Sequence, residues 1–600
     1  MKQTLIVLFS FVWLHLNAQN SEQIIPQEAV TVFSINNISL LQKVTIDELI
    51  EYDFMDEIHQ ELFDGSTDQK SLKDAGIDFD QRLNIFYGKN LKYELSGFTF
   101  GLKNKTDLFK VFDDFDAMES PYKNVDVYGS FFNNLIIQNQ AAILVRVEPL
   151  ESHVLEVTDS IWYSRGNLSP YYADFENGED NPDDNVMNQE IDMDILTKNY
   201  NEMRDSVQFI LQNAYFKEVM EGLFVQRKSL YSQAPQFQEQ LTHTTEGIFY
   251  MDNARNFEKT NNLWYLKTVL PSLYTDIQEI YEGNVIVGDL ILKDHNIEFQ
   301  ITAKYGEKLG SIYQEMNDSK FDKNITKYIK EDQAAYFTYN INLRKAYDKA
   351  FEVIVPILSK EKNQDISMNV LFLKLANEFV NKDALFNAYK GSMFGTFNGI
   401  QKVKTKKIEF FYDEVTFEYG ERTSEAEEDM PIFTLGFTTD RPDIPELVLS
   451  HLSQVTSKFE KKENYWIYNN AIFESAPVYL INKNGLLIVT NDKDLADNHS
   501  NGYGAESISK KAVKAIKNSG FMTAAADIKI AASKFPTDFL QPEQQRLIES
   551  LKGKSGNMKL TSSDTSSNQT NVSLVYSYEG QENSGKHLLD LLNTMYLLTK

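Results

Sequence analysis

The sequence contains no cysteine among its 600 residues. This absence excludes disulfide bonds, thiolate metal ligands and cysteine nucleophiles, so the fold has to rest on apolar packing. Positive charge is also scarce, since 59 Lys and Arg face 87 Asp and Glu for a formal net charge of −28. An acidic chain without a basic stripe repels phosphate backbones, and we therefore expect no nucleic acid partner.

Long apolar runs are rare as well. The run from Leu5 to Leu14 follows Lys2 and precedes the small residue Ala18. This order is typical of a secretory signal peptide, residues 1–18, whose apolar run is too short to cross a bilayer. A retained membrane anchor is the alternative. We expect the exported chain to be soluble, without a transmembrane segment after signal removal, and to be periplasmic or outer-membrane-associated.

What the sequence does contain is apolar material, 42% of all residues with 40 Phe and 31 Tyr, arranged in a repeat. An apolar strand that ends in Asn or Asp and runs into a helix occurs four times. Because Asn and Asp accept hydrogen bonds from the first free N–H groups of a helix, these residues are predicted helix caps. The four segments are EAVTVFSINNISLL (28–41), EGIFYMDNARNF (246–257), QAAYFTYNINLRKAYDKA (333–350) and SGFMTAAADIKIAAS (519–533).

A second strand followed by an amphipathic helix comes after each of these segments. The apolar spacing i, i+3, i+4, i+7 predicts that these side chains line one face of each helix. In the third copy, Asp443 and Glu446 also predict a capping box at the start of the helix. The four apolar sets are Leu108, Val111, Phe112 and Phe115; Leu309, Ile312, Tyr313 and Met316; Ile444, Leu447, Val448 and Leu452; and Leu588, Leu591, Leu592 and Met595.

One further pair of similar segments occurs only in copies one and three. LIIQNQAAILV (135–145) is similar to YLINKNGLLIV (479–489), and both predict a tight hairpin that turns at Asn139 or at Asn484 and Gly485. A long unit followed by a short unit, duplicated once, accounts for this order. The predicted fold is α+β, with duplicated units of mainly antiparallel sheet packed with amphipathic helices in two pseudo-equivalent halves.

The predicted domain boundaries follow from this duplication. An acidic linker and helical insertion separate the first long unit from the first short one, because residues 174–194 hold nine acidic and no basic side chains. The predicted segments are the signal peptide (1–18), long unit 1 (19–150), linker and insertion (151–245), short unit 2 (246–320), long unit 3 (321–500) and short unit 4 (501–600).

The signal, the opening IPQEAVTVFSINNISLL, the KDAGID segment and the hairpin NKNGLLIVTND resemble uncharacterised exported envelope proteins of Bacteroidetes. These proteins form a domain-of-unknown-function family with repeated strand–helix units. The resemblance covers most of the mature chain. It implies an envelope location and a repeated α+β fold, and it implies no catalytic residue.

The loop from Gly580 to His587, GQENSGKH, is the motif that comes nearest to known chemistry. It follows a strand and opens a helix, as a phosphate-binding loop does. However, His587 stands where a phosphate loop needs the Ser or Thr that binds magnesium. Too little chain follows Lys586 for a nucleotide-binding fold, so an ordinary connector is the preferred interpretation.

Metal and catalytic motifs are equally sparse. The acidic run 174–194 lacks the spacing of a calcium loop, although weak calcium binding stays an alternative to a solvated loop. No HExxH or HxH spacing occurs, and His451 is interpreted as a packed core histidine. The near miss Gly391-Ser-Met-Phe-Gly395 does not have the spacing of a serine nucleophile elbow. We therefore predict no catalytic residue and no cofactor, and leave metal binding undecided.

Lys510, Lys514 and Lys517 fall on one side of a predicted helix, opposite Ala512 and Ile516. This basic side is interpreted as a solvated face, with an anionic lipid or acidic partner as the alternative. For the whole chain we expect a non-enzymatic protein that binds or scaffolds an envelope protein, glycan or lipid component, because repeated units build extended surfaces. The alternative is a hydrolase that acts on an envelope polymer through carboxylates at a unit junction.

Overall fold

The structure is a computed structural model that describes residues 20–55, 74–112, 115–129, 133–167, 193–257, 271–317, 321–360, 362–413, 418–469, 476–535, 556–580 and 582–599, with short pieces between 541 and 552. The predicted signal peptide and residues 174–192 of the acidic run lie outside the described residues. The chain divides into two compact units. Lobe 1 comprises residues 1–46 and 57–264, and lobe 2 comprises residues 47–56 and 265–600.

The elements between residues 31 and 257 alternate short strands with helices. The strands are β1 (Thr31–Ile35), β2 (Ile77–Asp78), β3 (Leu83–Lys89), β4 (Tyr93–Leu102), β5 (Asp116–Met118), β6 (Val125–Gly129), β7 (Asn134–Gln138), β8 (Ala141–Pro149) and β9 (Gly247–Asp252). The helices are α1 (Asn37–Leu41), α2 (Ile46–Leu49), α3 (Lys105–Val111), α4 (Glu151–Ser164), α5 (Met193–Phe224), α6 (Leu230–Gln233), α7 (Pro235–Leu241) and α8 (Asn253–Phe257).

The elements between residues 271 and 599 include the longest strands. The strands are β10 (Val285–Lys293), β11 (Asn296–Lys304), β12 (Ala335–Asn340), β13 (Ser392–Asp413), β14 (Glu418–Thr438), β15 (Phe459–Lys461), β16 (Trp466–Tyr468), β17 (Val478–Lys483), β18 (Leu486–Thr490), β19 (Met522–Asp527), β20 (Asn557–Ser562) and β21 (Gln569–Ser577). The helices are α9 (Pro271–Tyr281), α10 (Glu307–Asn317), α11 (Leu343–Leu358), α12 (Gln364–Phe379), α13 (Lys382–Ala388), α14 (Asp443–Val455), α15 (Lys493–Asn498), α16 (Lys510–Lys517), α17 (Ile528–Ser533) and α18 (Ser584–Thr599).

Each lobe contains an antiparallel sheet. In lobe 1 the strands pair in the order β9–β1–β3–β4–β8–β7–β6–β5, and β2 pairs with one end of β4. In lobe 2 the order is β10–β11–β21–β20–β19–β12–β13–β14–β18–β17–β16–β15. Together with the helices, these sheets confirm the predicted α+β class.

The two predicted hairpins are present. β7 and β8 pair across a turn at Asn139, whose φ is 54°, and β17 and β18 pair across Asn484 and Gly485, with φ values of 57° and 71°. Asn and Gly tolerate the left-handed conformation that a two-residue hairpin requires.

Three of the four strand-to-helix junctions have the predicted cap. The side chains of Asp252, Asn342 and Asp527 accept hydrogen bonds from the N–H groups of residues three positions later, at 3.0, 3.1 and 2.8 Å. The first junction differs, because Asn36 makes no capping hydrogen bond. Its neighbour Asn37 instead donates to the carbonyl of Gln81 at 2.6 Å.

Helix α14 departs from two expectations. Asp443 and Glu446 do not form a capping box, since the α14 N-terminus has no side-chain cap. Arg441 binds Asp443, and Glu446 accepts from the indole of Trp466. Both carboxylates bind these side chains instead of the free backbone N–H groups at the start of α14, because charge-assisted hydrogen bonds are the stronger ones. The predicted apolar face is also largely open, since Leu447 is 72% exposed.

Buried apolar clusters stabilise each sheet. In lobe 1, Phe100, Leu108 and Leu135 pack between the sheet and α3. In lobe 2, Tyr328, Phe394 and Ile488 pack with α15 and α16 behind the central strands. Gly436 lies directly opposite Phe394, and a Cβ at Gly436 would fall 1.9 Å from the Phe394 ring. The glycine therefore makes room for the Phe394 ring.

Candidate functional site

The candidate site begins with one strand of lobe 2. Successive side chains of a strand point to opposite faces of the sheet. In β12, Thr338 and Asn340 are buried, whereas Phe337 between Tyr336 and Thr338 is 36% exposed. Phe337 therefore marks a face of the sheet that is partly open, opposite the face that covers the buried core.

The register extends this open face across the sheet. Phe337 lies opposite Gly395 of β13 and Ala524 of β19, so all three share the face. Continuing through directly opposed residues in both directions gives an unbroken apolar row over ten strands. From β17 to β10 the row is Leu480, Val489, Leu435, Gly395, Phe337, Ala524, Leu560, Leu574, Phe299 and Leu290.

A second row two residues along the strands has the same character. It runs from β14 to β10 through directly opposed residues, and its only hydroxyl belongs to a tyrosine. The row is Phe433, Phe397, Ala335, Ala526, Met558, Tyr576, Ile297 and Leu292. The residues between the members of these rows are polar in β11 and β20. Glu298, Gln300 and Lys559 point to the other face of the sheet.

Between these rows lies a cavity of about 470 Å³, which we call the apolar groove. Its walls come from four strands and are formed by large side chains on both sides of a low floor. The wall residues are Phe397, Phe433, Leu435, Met558, Leu560 and Leu574. A cavity of this size is within the range of about 300–1,000 Å³ that is usual for small-molecule pockets.

The floor of the groove is built from small residues. Ala524 and Ala526 of β19 face the groove, although alanine is not favoured in strands, and Ala525 between them lies opposite Lys559 on the other face. Gly395 is required for a different reason. A Cβ at Gly395 would lie 2.2 Å from the Phe337 ring, so the glycine allows this ring to lie across β13. Larger residues at these positions would fill the groove.

The groove has very little polarity. Among its lining residues, hydroxyl groups belong only to Tyr336 and Thr396. Burial raises the pKa of Tyr336 to about 12, so this phenol stays neutral in the physiological range. No lining residue is charged at neutral pH. The groove therefore suits an apolar segment and offers nothing to bind a charged or heavily hydroxylated ligand.

A polar cavity of about 760 Å³ lies at the ends of β12, β13 and β14 and bears on the hydrolase alternative. Its lining contains two carboxylates. Asp322 accepts a hydrogen bond from the N–H of Asn324 at 2.9 Å, and Asp383 pairs with Arg344 at 2.7 Å and is 84% exposed. Arg344 also binds Asp348, outside the lining, at 2.9 Å. Both carboxylates of the cavity are thus engaged in local contacts, whereas the hydrolase alternative needs a pair of carboxyl groups in contrasting environments.

The terminal loop, residues 580–587, uses its side chains within lobe 2. Asn583 accepts a hydrogen bond from the N–H of Lys586 at 3.0 Å and so caps α18, which begins at Ser584. The Lys586 Nζ lies 3.8 Å from a carboxylate oxygen of Glu48. A phosphate-binding loop needs these donors free, so the observed contacts favour the connector.

His587 is the most buried titratable group of this loop, with 2% exposure. Its Nδ1 lies 3.0 Å from Glu582 Oε1, and its Nε2 lies 3.1 Å from the Tyr576 hydroxyl. Its ring stacks on Tyr578 with 3.7 Å between centroids and 4° between planes. The backbone N–H of Gly556 donates to the same Tyr576 hydroxyl. Both imidazole nitrogens are thus occupied, as expected for a residue that holds α18 against β21.

The other histidines do not assemble a metal site. Among the described residues, no group of three or more His, Asp or Glu side chains is arranged to hold a metal ion. His451 is exposed on α14, so its interpretation as a packed core histidine is wrong. The reason is the open face of α14, which turns Leu447 and His451 toward solvent together. His59 and the acidic residues 174–192 lie outside the described residues.

The basic face of α16 agrees with its sequence pattern. Lys510, Lys514 and Lys517 are exposed, whereas Ala512 and Ile516 are buried. Ser509 caps the helix by accepting from the N–H of Ala512 at 3.2 Å. Across the described chain, no helix combines the length and apolar character that a membrane span requires.

The groove residues are the part of the site that the sequence motifs did not reveal. The signal was present in two short runs, MFGTF and TAAAD, where glycine or alanine interrupts apolar strand residues. Small residues within apolar strands indicate a groove only when the strands are known to be neighbours. β19 follows β12 and β13 by more than a hundred residues, and the sequence does not state that β12 pairs with both.

Comparisons with known proteins add little. No protein-family model matches the chain, and no curated protein matches it. A solved structure titled crystal form I of TP0453 aligns with 48% of this chain and 81% of its own chain. The sequence identity is 9% and the TM-score is 0.21, a similarity too low to support an inference about fold or function.

Proposed function

We propose that this chain is an exported envelope protein that binds the acyl chain of a lipid in the apolar groove of lobe 2, without catalysing a reaction. The observation that carries the proposal is the row of directly opposed apolar residues that passes through Phe337, Gly395 and Ala524. Apolar side chains on a sheet face are stable when something covers them. An acyl chain is such a cover.

The chemistry of the groove favours an acyl chain over the other expected partners. A glycan needs several hydrogen-bond donors and acceptors, and Tyr336 and Thr396 are the only hydroxyl-bearing residues in the lining. An acyl chain has no polar atom to satisfy along its length, so its burial leaves no hydrogen bond unmade. The volume of about 470 Å³ fits a chain or part of one.

The test is a titration of the mature chain with the fluorescent fatty acid cis-parinaric acid. We expect saturable binding that Ala524→Phe abolishes, because the new ring fills the floor of the groove. Lys559→Phe is the matched control, since Lys559 lies on the neighbouring strand but on the opposite face. The absence of saturable binding, or an equal loss in both variants, would contradict the proposal.

We also propose that the chain consists of two pseudo-equivalent halves. The pairing orders support this, because β9–β1–β3–β4–β8–β7–β6–β5 and β19–β12–β13–β14–β18–β17–β16–β15 match strand for strand. Each series begins with the later of the two strand-to-helix repeats and contains the predicted hairpin as its fifth and sixth strands. Two unrelated sheets of eight strands rarely share one order.

The envelope location is proposed on the signal-like residues 1–18 and the resemblance to exported Bacteroidetes proteins. Fractionation of cells that express the chain with a carboxyl-terminal tag tests it. We expect the tagged protein in the periplasmic or outer-membrane fraction, shortened by the signal. A full-length protein that stays in the cytoplasm would contradict this location and would leave the binding experiment unaffected.

A further inference from the structure

Helix α12 of lobe 2 has two apolar sides. One side packs on α11, where Val370 is buried and Asn377 accepts a hydrogen bond from the Tyr347 hydroxyl at 3.1 Å. A helix that packs on one neighbour normally presents polar residues on its far side. In α12 the far side is apolar.

The far side forms what we call the exposed stripe. Its members follow the spacing i, i+3, i+4, i+7 and i+11, which aligns them along one line of the helix. They include the most exposed phenylalanine recorded in the structure, Phe379 at 83%. The members are Met368 (45% exposed), Leu371 (47%), Phe372 (60%), Leu375 (42%) and Phe379 (83%).

Charge is absent from the stripe itself, and the sequence segment that contains it has a small excess of basic residues. Helix α12 has three charged residues, Asp365, Lys374 and Glu378, and none belongs to the stripe. The segment 343–390, from α11 through α13, carries eight basic and six acidic side chains, a balance of +2 in a chain of −28. This part of an acidic protein is thus repelled less by an anionic surface than the chain as a whole.

We infer that the exposed stripe inserts into the acyl region of a lipid bilayer and docks lobe 2 on the membrane. A helix of 16 residues is too short to cross a bilayer but long enough to lie in its interface. In that position Leu and Phe side chains enter the acyl region and the lysines meet the headgroups.

A second copy of the chain fits the stripe less well. The exposed fractions of the five side chains correspond to roughly 600 Å² per copy, short of the ~800 Å² that each partner contributes to a stable interface of standard size. A bilayer has no such threshold, because each inserted side chain contributes on its own. The inference rests on α12 and does not depend on the apolar groove.

The experiment uses the mature chain and vesicles of phosphatidylcholine with or without phosphatidylglycerol. We expect co-sedimentation with both vesicles, stronger with the anionic lipid, and a loss of at least about tenfold in partitioning for Phe372→Glu/Phe379→Glu. Ser367→Glu/Asn369→Glu adds the same charge to the same helix outside the stripe and is expected to stay within about twofold of the wild type. The pair Phe372→Leu/Phe379→Leu should retain binding.

A second readout separates insertion from surface adsorption. Because the chain contains no cysteine, Phe379→Cys and Asn369→Cys each provide a unique site for an environment-sensitive fluorophore. We expect a blue shift on vesicle addition at position 379 and little change at 369. Equal partitioning of all charge variants, or no shift at 379, would overturn the inference. So would a dimer in light scattering that Phe372→Glu/Phe379→Glu dissociates, because the stripe would then be an interface between copies.

Discussion

The terminal loop and the apolar groove of lobe 2 differ in how their sequence motifs relate to their structural roles. The terminal loop has glycine, lysine and histidine in an order that suggests phosphate chemistry, yet Asn583, Lys586 and His587 are all engaged within the lobe. The groove has no recognisable motif, yet its wall of Phe397, Leu435 and Leu560 surrounds an open cavity of about 470 Å³. The polar residues of the terminal loop, which suggest chemistry, stabilise the fold. The apolar residues of the groove, which suggest only packing, form the open cavity.

This difference shows how the two regions get their character. The terminal loop makes two contacts within itself, Asn583 with the Lys586 N–H and Glu582 with His587, and Lys586 also reaches the distant Glu48. The groove arises from the pairing of β19 with β12 and β20, strands that the chain reaches at very different points. A local motif can therefore mislead about function, whereas a site built by strand register leaves no local motif.

The largest effect is expected from His587→Ala. The substitution removes a ring stacked on Tyr578 and leaves the Tyr576 hydroxyl without its imidazole partner, so we expect a loss of about 3 kcal/mol in unfolding free energy. Urea unfolding measures it. Binding of cis-parinaric acid by the folded fraction should be unchanged, since His587 is not among the groove residues. A stable variant that no longer binds would reverse the roles assigned to the two regions.

Gly395→Val should have the next largest effect. Its side chain meets the Phe337 ring, which a Cβ would approach to 2.2 Å, and displacing this ring is expected to destabilise lobe 2 by about 2 kcal/mol. Thermal unfolding measures the change. Gly395→Val combined with Phe337→Ala removes the clash and should recover part of the loss. No recovery in the double variant would show that the strain lies elsewhere.

Leu560→Glu tests the apolar character of the groove with a smaller effect. A carboxylate in the wall should weaken binding of cis-parinaric acid about tenfold or more, because an acyl chain does not compensate a buried charge. Leu560→Met preserves the volume and should bind like the wild type. If both variants bind alike, the fatty acid occupies another part of the protein.

The smallest effect is expected from Lys586→Ala. The Lys586–Glu48 pair is half exposed, and such pairs contribute about 0.5 kcal/mol or less. Addition of ATP with magnesium should raise the melting temperature of neither the wild type nor the variant. A nucleotide-dependent rise in the wild type that Lys586→Ala removes would establish the phosphate-loop alternative.

Much of the fold follows from local sequence. The strand-to-helix junctions at Asp252, Asn342 and Asp527 and the hairpins at Asn139 and Asn484 depend on side chains that act within a few residues. Those features are predictable because capping and turn geometry are local. The α+β class follows from the same elements.

The burial of individual helix faces is less predictable. The spacing of Ile444, Leu447 and Val448 predicts an apolar face on α14, but Leu449 is the residue that packs and Leu447 is exposed. Apolar periodicity states which side chains share a face, and the neighbouring elements decide which face is covered. For the same reason, the groove and the exposed stripe of α12 become apparent only once the neighbours of each strand and helix are known.

The most direct test of the acyl-chain proposal is quenching of a fluorophore attached in the groove. With no native cysteine, Ala524→Cys and Lys559→Cys can each be labelled with bimane and titrated with brominated palmitate. We expect saturable quenching at position 524, on the groove floor, and little at position 559, on the opposite face. Equal quenching at both positions, or none at 524, would contradict the assignment of the groove as an acyl-chain site.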